Sequence, residues 1–242
     1  MIILSALNDN YITLYEYAPG QALAVDPGDD TVVFQALKEH ELQLTAILLT
    51  HHHGDHTGGV KALKHKTDCA VYGPNRRCFS GIDHLVEGGQ SLSFGNRTID
   101  VIHTPGHTAG GVCYYLSPST NNDRGLVWTG DTLFVGGCGR LFEGSAEQMY
   151  HSLQTLAALP DETLVYCGHE YTLDNYEFAL SVEPDNEPIQ NALDEAENTL
   201  RQGDPTVPST IKQEKRTNLF VKARTVDEFA QLRQRKDRFC TT

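Results

Sequence analysis

The segment Thr50-His51-His52-His53-Gly54-Asp55-His56 constrains this chain more than any other part of its sequence. Five of its seven side chains can bind a metal ion. It directly follows an apolar run, residues 46–49, which predicts a buried β-strand. A strand that ends in imidazoles and a carboxylate delivers them to one edge of a sheet. The sequence therefore predicts a metal site at that edge.

More potential ligands follow other predicted strands. Asp131 and His169 come after the apolar runs 126–129 and 163–166, and His107 lies across a Pro-Gly turn from the run 98–102. One zinc ion takes about four ligands, so the whole set favours two metal ions that share a carboxylate, roughly 3.5–4 Å apart. The candidate ligands are His51, His53, Asp55, His56, His107, Asp131 and His169.

Spacing divides the histidine segment into two pairs. His51 and His53 are two residues apart, so in extended backbone their side chains point the same way, and His52 points away. Gly54 permits a sharp turn. We expect that turn to direct Asp55 and His56 towards a second ion.

The order of predicted elements indicates an α/β class with a layered core. Strands at 11–17 and 22–25 flank a Pro-Gly hairpin turn, and a helix from residue 31 precedes the strand at 46–49. A helix at 60–66 and a strand at 70–72 continue this alternation. From residue 91 strands dominate, including 91–94 and 112–116. Beyond a boundary near 171–174, helices are predicted at 173–182, 187–202 and 225–237.

Composition excludes several classes of protein. A net charge of −13 disfavours a nucleic-acid partner. No apolar run is long enough to span a membrane, and the apolar start of the chain is too short for a signal peptide. Without a coiled-coil pattern we expect a monomer. The cysteines are scattered without a CxxC pair, which predicts reduced thiols and a cytoplasmic location; they are Cys69, Cys78, Cys113, Cys138, Cys167 and Cys240.

The motif His51-x-His53-x-Asp55-His56, with the later His107, Asp131 and His169, resembles the metallo-β-lactamase superfamily. That resemblance implies an αββα sandwich with a binuclear metal site. Segments 137–144, 167–172 and 233–239 narrow it to glyoxalase II, the hydroxyacylglutathione hydrolases, and the similarity runs nearly end to end. The family implies a catalytic domain at 1–172 and a helical, substrate-binding domain at 173–242.

The resemblance also implies a division of the metal ligands. One ion would take His51, His53 and His107, and the other would take Asp55, His56 and His169, with Asp131 bridging both. Asp55 and Asp131 are the expected catalytic carboxylates, Asp55 by orienting the nucleophile and Asp131 by holding both ions. Imidazole and carboxylate ligands without thiolate suit Zn, Fe or Mn, of which zinc is the expected metal.

Four residues match the family's glutathione contacts, namely Arg140, Tyr171, Arg233 and Lys236. Arg140 stands where other members have Lys, and Phe142 stands where some have Tyr. Arg233 and Lys236 are three apart on a predicted helix and so share one face. From the residues alone, a solvated basic helix end that complements the helix dipole is the alternative interpretation.

The implied reaction is hydrolysis of S-(2-hydroxyacyl)glutathione thioesters, such as S-D-lactoylglutathione to D-lactate and glutathione, the second step of methylglyoxal detoxification. A hydroxide bridging two metal ions would attack the thioester carbonyl. The main alternative is a glutathione persulfide dioxygenase, a sister family with the same motif and a single iron. A β-lactamase and a non-catalytic metal-dependent binding protein are further alternatives.

Overall fold

A computed structural model of the chain describes residues 1–75, 77–120 and 123–239. The chain divides into two compact units. Unit 1 contains Met1–His103 and Gly110–Asp123, and unit 2 contains Thr104–Ala109 and the chain from Arg124 onward. Residues 240–242 of the predicted helical domain, among them Cys240, lie outside the described residues.

Six strands of unit 1 form one mixed sheet. In chain order they are β1 (Ile2–Ala6), β2 (Asn10–Ala18), β3 (Gln21–Val25), β4 (Gln43–Leu48), β5 (Ala70–Gly73) and β6 (His84–Leu85). Spatial neighbours follow the same order, antiparallel from β1 to β3 and parallel from β3 to β6. The predicted Pro-Gly turn joins β2 to β3, and Gly20 there has a φ of +72°.

Three helices follow strands of this sheet, namely α1 (Asp30–Glu39), α2 (Gly54–Thr57) and α3 (Val60–Thr67). Helix α1 begins where the Asp29 side chain accepts a hydrogen bond from the Thr31 amide. Its buried residues, Val33, Ala36 and Leu37, recur at the helical spacing that the sequence shows. They join β-strand residues in the core of unit 1.

Unit 1 also contains an antiparallel meander of β7 (Ser91–Phe94), β8 (Arg97–His103) and β9 (Val112–Leu116). The middle strand, β8, pairs with both of its neighbours. The bounds of β7 and β9 are those predicted from the sequence. Alternating burial along β8 is what a strand with one covered face requires.

Up to residue 239, unit 2 has five short strands, namely β10 (Leu126–Gly130), β11 (Leu133–Phe134), β12 (Gly137–Cys138), β13 (Leu164–Cys167) and β14 (Ser209–Thr210). Strand β13 pairs in parallel with β10 and antiparallel with β14. Strands β11 and β12 form a separate two-stranded hairpin. Asp131 follows β10 and His169 follows β13, as the sequence predicts.

The helices of unit 2 are α4 (Ala146–Ala157), α5 (Thr172–Val182), α6 (Glu187–Arg201), α7 (Ile211–Thr217), α8 (Leu219–Lys222) and α9 (Val226–Asp237). Ser145 starts α4 with a capping box completed by Gln148. The three predicted C-terminal helices are confirmed as α5, α6 and α9. The sequence did not predict α7, α8 or β14, because elements of two to seven residues are too short to show a period.

Two expectations from composition concern membranes and disulfides. Among the residues that the structure describes, no helix is long and apolar enough to cross a membrane. The five described cysteines are buried and free. Burial raises the pKa of the Cys138 thiol to about 11 and that of Cys167 to about 12. These two thiols are therefore neutral near pH 7.

Candidate metal centre and substrate cavity

The histidine segment of unit 1 is held by a buried carboxylate, Asp26, which follows β3. Its two oxygens accept hydrogen bonds from the Thr50 amide over 2.8 Å and from the Thr50 hydroxyl over 2.6 Å. The His56 Nδ1 atom lies 3.0 Å from the same carboxylate. Because a carboxylate accepts, Nδ1 is the protonated nitrogen and Nε2 of His56 is left to bind a metal.

Two further imidazoles converge beside this anchor. His51 Nδ1 lies 3.0 Å from the Thr50 hydroxyl, and His51 Nε2 lies 3.1 Å from Nδ1 of His53. Ligand atoms of Asp26, His51 and His56 all lie within 4.8 Å of one another. The pairing of His51 with His53 that their spacing predicts is therefore present within unit 1.

The segment after His53 differs from its prediction. In place of an isolated sharp turn, Gly54 starts the one-turn helix α2, which carries Asp55 and His56. The Asn10 side chain donates to the Asp55 carboxylate over 3.1 Å. A β-carbon on Gly28 would lie 1.8 Å from the Asp55 carbonyl oxygen, so only glycine allows this backbone approach.

Unit 2 supplies the remaining candidate ligands. One oxygen of Asp131 lies 3.3 Å from His107 Nε2, and the other lies 3.4 Å from His169 Nε2. All three side chains are buried. A carboxylate whose two oxygens face different imidazoles has the arrangement that a bridging ligand requires.

The ring of His107 is oriented by backbone. Its Nδ1 lies 2.9 Å from the Arg140 carbonyl oxygen, which can only accept, so Nδ1 carries the proton and Nε2 faces Asp131. Gly139 permits this approach, because a β-carbon there would lie 2.0 Å from the Asp131 carbonyl oxygen and 2.9 Å from His107 Nδ1. The segment 139–140 therefore fixes one candidate ligand directly.

A cavity of about 580 Å³ opens beside these ligands in unit 2. Its wall contains His107 and Asp131 together with all four residues predicted to contact glutathione. Aromatic and small residues complete the wall. The lining residues are His107, Asp131, Phe134, Cys138, Gly139, Arg140, Phe142, Tyr171, Asp174, Asn175, Arg233, Lys236 and Phe239.

Arg233 and Lys236 are not the solvated helix end that was the alternative interpretation, since they are only 4% and 8% exposed. The Arg233 guanidinium donates to the Cys138 carbonyl oxygen over 2.9 Å and pairs with Asp237 over 2.9 Å. Lys236 donates to the Asp174 carbonyl oxygen over 2.6 Å and pairs with its carboxylate. Burial lowers the pKa of Lys236, and the Asp174 carboxylate opposes that shift.

Aromatic rings border the candidate ligands of unit 2. The Tyr171 ring stacks on the His169 ring with centroids 4.8 Å apart and planes 3° apart. The Phe142 ring meets the His107 ring edge-on at 5.2 Å and is 64% exposed. Tyr171 therefore supports a candidate ligand as well as forming the cavity wall.

Sequence reasoning missed the residues that position the others. Asp26 follows a strand in Val25-Asp26-Pro27-Gly28, which is the signal that identified Asp131, and it has a φ of +49°. Asn10 gave no comparable signal. Phe134, Asp174 and Asn175 belong to the cavity only because of long-range packing, so no local pattern marks them.

Comparison with known proteins identifies the chain's relatives. Residues 8–169 match the family model of the metallo-beta-lactamase superfamily, and residues 170–239 match that of the hydroxyacylglutathione hydrolase C-terminus. A hydroxyacylglutathione hydrolase from Klebsiella pneumoniae is 41% identical, with 99% of each chain covered.

Solved structures share the fold of this chain. The crystal structure of ETHE1 from Myxococcus xanthus has a TM-score of 0.72 at 30% identity, covering 97% of this chain and 90% of that one. A di-iron-bound form of TTHA1623 has a TM-score of 0.61 at 27% identity, covering 90% and 98%.

The fold and the motif thus define a metallo-β-lactamase-superfamily enzyme, with the mixed α/β fold and helical C-terminal region expected from the sequence. Identity over nearly the whole chain and the match to the C-terminal family model are more specific than the motif. The chain belongs to the hydroxyacylglutathione hydrolase family.

Proposed function

We propose that this protein hydrolyses S-(2-hydroxyacyl)glutathione thioesters, with S-D-lactoylglutathione as substrate and D-lactate and glutathione as products. The observation that carries the proposal is the cavity of unit 2. Its wall combines two candidate metal ligands, His107 and Asp131, with three cationic side chains, Arg140, Arg233 and Lys236. A thioester of a peptide with two carboxylates needs both features in one place.

The candidate ligands fit two divalent ions. They are imidazoles and carboxylates, and Asp131 presents its oxygens to two different histidines. We propose that His51, His53 and His107 hold one ion, that Asp55, His56 and His169 hold the other, and that Asp131 bridges them. Zinc is the proposed metal, with iron or manganese as alternatives. When bound, such ions supply hydroxide at neutral pH and polarise the thioester carbonyl.

The chain's own residues prepare this chemistry. Asp26 and the Arg140 carbonyl hold the protons of His56 and His107 on Nδ1, so that both rings present Nε2. Asn10 orients the Asp55 carboxylate, which we propose directs the nucleophile. The leaving thiolate has a parent thiol pKa of about 8.5 and needs little protonation.

We propose that Arg140, Tyr171, Arg233 and Lys236 bind the glutathione part of the substrate. A guanidinium and an ammonium group recognise carboxylates by charge-assisted hydrogen bonds. Arg233 and Lys236 already have intramolecular partners, which hold both cations in place before a ligand arrives. Phe142 provides no hydroxyl, so we assign it an apolar contact only.

Three broader features belong to the same proposal. We propose a catalytic domain at residues 1–172 and a helical substrate-binding domain at 173–242. We also propose a monomer located in the cytoplasm, where glutathione is abundant and buried thiols such as Cys69 stay reduced. The charge of −13 supports a small-molecule substrate and not a nucleic acid.

The deciding experiment combines metal analysis with a thioester assay. Purified protein is assayed on S-D-lactoylglutathione before and after chelation, and again after zinc, iron or manganese is restored. We expect turnover that chelation abolishes and metal restores. Full activity in metal-free protein would overturn the mechanism. Oxygen consumption with glutathione persulfide, without thioester turnover, would instead establish a dioxygenase.

Neighbouring histidines provide a matched pair of variants. His53→Gln removes a proposed ligand, and His52→Gln changes an adjacent imidazole that is not a proposed ligand. We expect the first to lower the metal content and the turnover, and the second to retain both. Equal losses in the two variants would contradict the ligand assignment.

A further inference from the structure

The hairpin of unit 2 formed by β11 and β12, residues Leu133–Cys138, is held mainly by side chains from distant parts of the chain. Four of its carbonyl oxygens accept side-chain hydrogen bonds over 2.7–3.0 Å. The donors are Thr129 to Leu133, Asn175 to Val135, Asn218 to Gly137 and Arg233 to Cys138. Three of these donors belong to the helical region that follows residue 171.

Glu214 of α7 completes this set from the acceptor side. Its Oε2 atom accepts hydrogen bonds from the Gly136 amide over 3.0 Å and from the Asn218 side chain over 2.8 Å. Glu214 and Asn218 are 1% and 0% exposed. One buried carboxylate oxygen therefore holds the tip of the hairpin and also holds the side chain that supports its second strand.

Only glycine fits at position 136, the tip of the hairpin. Its φ is +69°, and a β-carbon there would lie 2.6 Å from the Tyr176 ring. The tip is thus packed against α5 with its amide directed at Glu214. Because that amide is buried, the loss of its acceptor would leave an unpaired donor, which is costly.

The hairpin leads directly into the candidate active site. Cys138 is followed by Gly139, which lies against Asp131 and His107, and by Arg140, whose carbonyl oxygen orients His107. Phe134 of the hairpin also lines the cavity. A shift of the hairpin would therefore change the cavity wall and the orientation of one candidate metal ligand together.

We propose that Glu214 is a positioning residue for the active site, acting through the hairpin Leu133–Cys138 on the His107 ring and on the cavity wall. The inference rests on the proposed function for the roles of His107 and Arg140. Packing alone would be satisfied by any side chain of similar volume. Positioning requires an acceptor oxygen for the Gly136 amide and for Asn218.

Two substitutions separate these possibilities. Glu214→Gln keeps an acceptor oxygen, whereas Glu214→Met keeps the approximate volume without it. Lys212→Met on the exposed side of the same helix is the matched control. Four quantities are measured in each full-length protein, namely hydrogen exchange at the Gly136 amide, the dissociation constant of Zn²⁺ from the reconstituted protein, and kcat and KM for S-D-lactoylglutathione.

We expect Glu214→Met to accelerate exchange at Gly136, weaken Zn²⁺ binding and raise KM, each by about tenfold, the loss expected for one hydrogen bond. Glu214→Gln should show no loss greater than about threefold in any of these quantities, and Lys212→Met should stay within about threefold of the unsubstituted protein. Rescue by Gln would establish the acceptor role. Equal values for Met and Gln, whether both normal or both impaired, would overturn the proposal.

The same measurements keep the two proposals separate. If the unsubstituted protein does not turn over thioesters, the proposed function fails, and amide exchange with Zn²⁺ affinity still decides the role of Glu214. If Glu214→Met does not fold, Asn218→Ala provides a second way to release the hairpin. It should move the same quantities in the same direction, and unchanged values would overturn the proposal.

Discussion

The histidine segment of unit 1 and the hairpin of unit 2 are each held by a buried carboxylate, but over very different distances along the chain. Asp26 binds Thr50 and His56, which lie 24 and 30 residues away. Glu214 binds the Gly136 amide, 78 residues away. The first anchor spans neighbouring parallel strands, whereas the second joins the hairpin to a short helix.

The histidine segment and the cavity wall therefore depend on different kinds of support. The histidine segment is built from consecutive residues and is supported by an anchor on the neighbouring strand of its own sheet. The cavity wall includes residues of β11 and β12, which form a sheet of two short strands. It depends on side chains of the helical region, so damage there should affect the wall first.

The largest expected difference concerns the charge on the carboxylate of Glu214. Burial raises the pKa of Glu214 to about 7 from 4.5, although hydrogen bonds from Asn218 and Gly136 oppose the shift. The folded state therefore keeps this proton after the unfolded state has lost it. The contribution of Glu214 to the free energy of unfolding is fully favourable below about pH 4.5 and is lost as the pH rises through about 7.

We expect Glu214→Gln to remove this loss, which amounts to about 3 kcal/mol of unfolding free energy between pH 4.5 and pH 8. Burial raises the pKa of Tyr176 and that of Cys167, so these neighbours do not titrate in that interval. Urea unfolding of both proteins across this range measures the effect. Parallel pH profiles would contradict it.

The next largest effect concerns the anchor of unit 1. Asp26→Asn keeps the size and suits the left-handed backbone at φ +49°. Its amide nitrogen only donates, so it cannot replace the carboxylate oxygen that accepts from the Thr50 hydroxyl and from His56. Loss of such a support lowers metal affinity by about 10–100-fold. Zn²⁺ titration measures it, with the exposed Glu87→Gln of the same unit as control. An unchanged affinity would show that the segment does not need this anchor.

A smaller effect is expected where a ring supports a candidate ligand. Tyr171→Ala removes the stack on His169 and should raise KM by at most about tenfold, since such a pair contributes about 0.5–1.5 kcal/mol. Tyr171→Phe keeps the stack and loses the hydroxyl. Steady-state kinetics compares them, and a loss in the Phe variant equal to that in the Ala variant would assign the contribution to the hydroxyl.

The smallest effect is expected at Phe142, which is 64% exposed. Phe142→Ala should change the free energy of unfolding by less than about 0.5 kcal/mol, as is usual for exposed positions. Denaturant unfolding checks this value. A larger loss would mean that the contact between Phe142 and His107 stabilises the fold.

The sequence predicts the features that depend on neighbouring residues better than those that depend on long-range contacts. The sequence predicts strands β7 and β9 to the residue and helices α5, α6 and α9 to within one residue, because each carries enough apolar residues to show a period. The sequence identifies Asp131 and His169 as candidate ligands because they follow strands β10 and β13. Helix α2 was expected to be a turn, since a glycine permits either and four residues show no period.

The candidate substrate contacts came from family resemblance, and their surroundings came from the structure. Arg233 and Lys236 sit on a helix whose residues alone suggested a solvated end. Their burial follows from packing against Phe220 and Phe178, whose rings lie 5.1 and 5.4 Å from the two cations. Neither aromatic residue is near them in sequence, so no helical pattern predicts the contact.

The sequence by itself determined the chemistry of this protein: a run of imidazoles and a carboxylate after an apolar strand, with three more donors after later strands. Those signals are local, because a strand and the residues that end it are adjacent in the chain. Only the tertiary structure decided what holds them. Asp26, Glu214 and Asn218 act through hydrogen bonds between segments far apart in sequence, and those bonds form only once the chain has folded.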